Sequence, residues 1–174
     1  MYMIRFSEVP TQLTGVYQEF AREITHSIAG MATSLRLTRY TYTEQGFFST
    51  SKQFTDDDPV IQTVLSQFNV EYIKDEKLNT VYYGDSDKFG SSGEGHVYWY
   101  RITEKVRSIL RASTIIIEHE SSENLWPGFE DPVYYKDETV IAFVISTKKM
   151  IYCSELPEFE SIIDRFNIPF EKVI

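Results

Sequence analysis

Two apolar runs, residues 140–145 and 150–153, flank the polar segment Ser146-Thr147-Lys148-Lys149. This pattern predicts a hairpin over residues 139–153, with a first arm apolar enough for the middle of a sheet. Residues 114–120 form another apolar-rich strand candidate before it, and a helical pattern follows from Glu155 to Phe166 with Asn167 as its end. Residues 168–174 are expected to close as an edge strand. Near the start, residues 1–6 suit a short strand. Pro10 then opens a helix in which Leu13, Val16, Tyr17, Phe20, Ile24 and Ile28 repeat at three and four residues, ending at Gly30.

The middle of the chain is less regular. Residues 34–43 alternate as a strand, with Leu35 and Leu37 on one side and Tyr40 and Tyr42 on the other, which implies a bulge or burial on both faces. Glu44-Gln45-Gly46 reads as a turn and residues 47–51 as a returning strand. Asp56, Asp57 and Asp58 before Pro59 read as a helix start, since carboxylates suit the positive end of a helix and proline suits its first position. That reading is preferred to a metal site, because adjacent carboxylates seldom converge on one ion. Short strands are expected at 70–73 and 78–83 around the charged Asp75-Glu76-Lys77. A flexible Gly/Ser/Asp loop is expected at 84–95, and a long helix at 96–112 with Tyr98, Ile102, Val106 and Ile109 on one stripe. Arg101, Lys105, Arg107 and Arg111 would make a basic surface on that helix. The loop lacks the Lys-Ser/Thr pair of a phosphate-binding loop. Together these elements predict an α+β fold: one domain, an antiparallel sheet of about six strands and three main helices.

Composition narrows the function classes. The 174 residues carry a net charge of −9, so the chain gains nothing from approaching phosphate backbones, and direct nucleic-acid binding is not expected. A basic protein partner suits it better. The longest apolar run, residues 140–145, is far too short for a membrane span. The single cysteine, Cys153, permits no internal disulfide, and residues 1–10 lack a signal-peptide pattern, so a cytoplasmic setting is expected.

Candidate chemistry is sparse. His26, His96 and His119 show no zinc-motif spacing, and no metal or cofactor is implied. Cys153 would act as a nucleophile only with a histidine beside it, and burial is the plainer expectation. On the strand at 114–120, Glu118 and Glu120 share a face and could work as acid and base, with His119 near them. This is the alternative enzymatic reading. The favoured site is a surface: residues 114–138 hold seven carboxylates against Lys136 alone. Glu118, Glu120, Glu123, Trp126, Phe129, Glu130, Asp131, Tyr134 and Tyr135 are expected to form an aromatic cluster ringed by acids, suited to a basic partner. In type, a small acidic chain without a catalytic signature resembles bacterial immunity proteins and antitoxins, a resemblance that implies occlusion of a toxin through an acidic face and matches no individual residues.

Overall fold

The computed structural model describes residues 1–6, 14–41, 59–68, 72–78, 94–112, 129–145 and 149–173. In chain order the elements are β1 (Tyr2–Arg5), α1 (Thr14–Met31), β2 (Ser34–Thr41), α2 (Pro59–Phe68), β3 (Tyr72–Leu78), β4 (Glu94–Arg101), α3 (Glu104–Ala112), β5 (Glu130–Lys136), β6 (Thr139–Ile145), β7 (Met150–Cys153), α4 (Pro157–Phe166) and β8 (Glu171–Lys172). Among the described residues the strands form one eight-stranded sheet, in the order β3-β4-β2-β5-β6-β7-β1-β8. Every pairing is antiparallel. The protein is α+β with an antiparallel sheet, as expected, and β4 adds a strand where the sequence reads as helix.

Alternation sorts the sheet into two faces. Tyr2, Ile4, Leu35, Leu37, Tyr98, Tyr100, Tyr134, Ala142, Val144, Ile151 and Cys153 lie on one face and share a core with side chains from all four described helices. Most of the predicted apolar stripes are buried, Tyr17, Phe20, Ile24 and Ile28 of α1 and Phe159 and Ile163 of α4, while Val16, expected on the α1 stripe, is exposed near the start of the helix and Leu13 lies outside the described residues. Across the α1–α4 contact the Phe20 and Phe166 rings meet edge-on at 6.0 Å, and Arg165 pairs with Glu23 at 3.0 Å. On its other flank α1 meets α3. Arg107 donates to the Ala29 and Gly30 carbonyls at the end of α1, where a cation is favoured, and also pairs with Glu104. The helix runs one residue past Gly30, to Met31.

The hairpin at 139–153 forms as β6 and β7, with Ile145 opposite Met150. Asn167 ends α4 in the left-handed conformation, and its N–H donates to the Asp164 carbonyl. Strand β2 is buried on both faces, Leu35 and Leu37 on one and Arg36 and Thr38 on the other. The irregularity in this region belongs to β5, where Asp131 and Pro132 together oppose Leu37; Asp131 takes φ 48.

Three sequence expectations need correction. Residues 96–112 are not one helix. Residues 94–101 are β4, paired on both sides, and the helix begins only at Glu104. With neighbours on both sides and apolar residues on both faces, the centre of β4 at 97–100 shows no charged positions to reveal its period of two, and its aromatics fall in step with the helix behind it. Second, β3 runs from Tyr72 to Leu78 straight through Asp75-Glu76-Lys77, around which two separate short strands are expected. Charges suit an edge strand because they discourage pairing with other chains. Third, the basic surface on that helix is divided, since Arg101 belongs to β4 and Arg107 is held by α1. The expected strand at 47–51, the strand at 114–120 and residues 84–93 of the loop lie outside the described residues, while Glu94 and Gly95 open β4. Among the described residues no helix is long and apolar enough to cross a membrane.

The buried Tyr134 hydroxyl finds no hydrogen-bond partner among the described residues. A buried unpaired hydroxyl costs about 1–3 kcal/mol. Tyr134→Phe is therefore expected to hold or raise the thermal midpoint. A clear fall would show that the hydroxyl is satisfied, for instance by an internal water.

Candidate partner-binding end of the sheet

The predicted surface is only partly brought together. Glu118, His119, Glu120, Glu123 and Trp126 lie outside the described residues. Phe129 and Tyr134 belong to the core instead of an exposed cluster. Phe129 is 1% exposed, with its ring edge-on to Tyr98 at 5.3 Å, and Tyr134 is fully buried. The cause is the place of β5, which lies between β2 and β6 in the middle of the sheet and turns Tyr134 toward the helices.

Glu130 and Asp131 mark one end of β5, and Tyr135, Asp137 and Glu138 the other. A seven-residue strand separates these groups by about 20 Å. At the second end Thr33 ties the strands together: its N–H donates to the Tyr135 carbonyl at 2.7 Å, and its Oγ1 accepts from the Asp137 N–H at 2.6 Å. Tyr135 is half-buried on the opposite face from Tyr134 and tilts against Trp99 at 5.1 Å. Burial raises its hydroxyl above the ordinary tyrosine value, while the Arg36 charge lowers it. This neighbourhood of Arg36, Trp99 and Tyr135 comes from three strands, and sequence reasoning missed it. Its one signal is the position of Arg36 within the alternating segment 34–43, since Trp99 lies where the sequence reads as helix.

The end marked by Glu130 and Asp131 is where chain connections gather. Arg5 opposes Met150, Ile145 opposes the same residue, Thr41 opposes Glu94, Leu78 opposes Gly95, and Glu130 opposes Thr38. Strand ends from seven of the eight strands therefore share this side. Residues 42–58, 79–93 and 113–128 are joined to the sheet there. They carry nine carboxylates against two lysines, a net of −7 out of the chain's −9.

Other chemistry is limited in the described part. Among the described residues no group of three or more His, Cys, Asp or Glu side chains is arranged to hold a metal. His26 Nε2 lies 3.1 Å from the Arg111 carbonyl oxygen, an α1–α3 tie. His96 sits in β4 opposite Arg39 and Lys77. No protein-family model matches the chain, and no curated protein or solved structure matches it either.

Cys153 is fully buried on the helix-side face, and burial pushes its thiol well above the ordinary range. A thiol kept protonated is a poor nucleophile. It is expected to resist alkylation in the folded protein and to react at once in denaturant. Because the native state keeps this proton, stability is full below the unfolded thiol's value of about 8.5 and falls above it, by about 1.4 kcal/mol per pH unit. Cys153→Ala should flatten that fall between about pH 8.5 and 10, before tyrosines titrate. Unfolding by urea across this range measures it; an unchanged slope would show that other groups set it.

Proposed function

We propose that this chain is a binding protein that occludes a basic protein partner in the cytoplasm, in the manner of an immunity protein or antitoxin. The partner would meet the acidic end of the sheet, with Glu118, Glu120, Glu123 and Trp126 acting beside Glu130 and Asp131. The observation that carries this reading is the uneven distribution of charge along the chain. Three connections that meet the sheet at one end carry most of the chain's net negative charge in their sequence, and a strongly acidic chain favours a partner of opposite sign and speeds its approach. The same charge disfavours nucleic acid. A single buried thiol suits a reducing setting.

The test is capture from source lysate at low and high salt, with a variant carrying Glu118→Lys, Glu120→Lys and Glu123→Lys. The control reverses Glu158 and Asp164, exposed carboxylates of α4. One basic protein is expected at low salt and not at high salt. The triple variant should weaken its binding at least tenfold, about 1.4 kcal/mol, and the control should not. Equal capture by the triple variant would rule out this site.

A further inference from the structure

We draw no further inference here: the strongest candidate, the patch of buried Arg36 and Thr38 with half-buried Trp99 and Tyr135 on the sheet face that no described helix covers, carries nothing because nothing in the described residues shows what covers it.

Discussion

Val97→Pro is expected to unfold the protein. Val97 is fully buried in β4, opposite Thr38 on one side and Glu76 on the other. Proline lacks the N–H of a ladder hydrogen bond, and its ring cannot be accommodated between two paired neighbours. The cost is expected at about 3 kcal/mol or more, beyond the loss of the valine side chain. Val97→Ala supplies that second quantity alone. The substitution also separates two readings of this stretch. If residues 96–112 were one helix, position 97 would fall in its first turn, where proline is well tolerated. A proline variant with an unchanged urea midpoint would therefore restore the single helix; one that fails to fold while Val97→Ala folds confirms the strand.

That contrast shows where the pattern could be read and where it could not. Helices α1 and α4 were legible because each keeps one apolar stripe against one polar side. The β6–β7 hairpin was legible because a polar turn divides two apolar runs. The sheet's centre gave a weaker signal. Strand β4 is buried on both faces and looks like any apolar segment. Strand β3 finishes the sheet and carries four charges in a row, which imitates a turn. Neither assignment can be made without knowing the neighbour across the ladder. The same limit applies to the site. Acid enrichment in residues 114–138 was visible by counting, but its partition between the two ends of β5 was not. Phe129 and Tyr134 looked like exposed anchors because they alternate with acids. Their burial follows from the central position of β5, a property of the whole sheet.

Phe20→Ala is expected to cost about 3–5 kcal/mol, the usual range for emptying a buried phenylalanine site. Phe20 has no exposed surface. Its ring stacks near Phe6 at 6.0 Å and meets Phe166 edge-on at the same distance, so one side chain links the end of β1, α1 and α4. These neighbours belong to separate elements and can close the vacated space only by moving together, which places the cost toward the upper end. Domains of this size are stable by only about 5–15 kcal/mol, so the loss is a large share of the total. With a dependence of about 1–3 kcal/mol per molar urea, the midpoint should fall by roughly 1 M or more. Gln18→Ala, on the exposed side of the same helix, should change stability by no more than about 0.5 kcal/mol. A small shift for Phe20→Ala would mean that α1 is not anchored through this ring. The same pair calibrates the binding experiment. The carboxylate reversals carry information about a partner surface only if they reduce capture while their urea midpoint stays near that of Gln18→Ala. A midpoint that moves toward that of Phe20→Ala would assign the lost binding to unfolding.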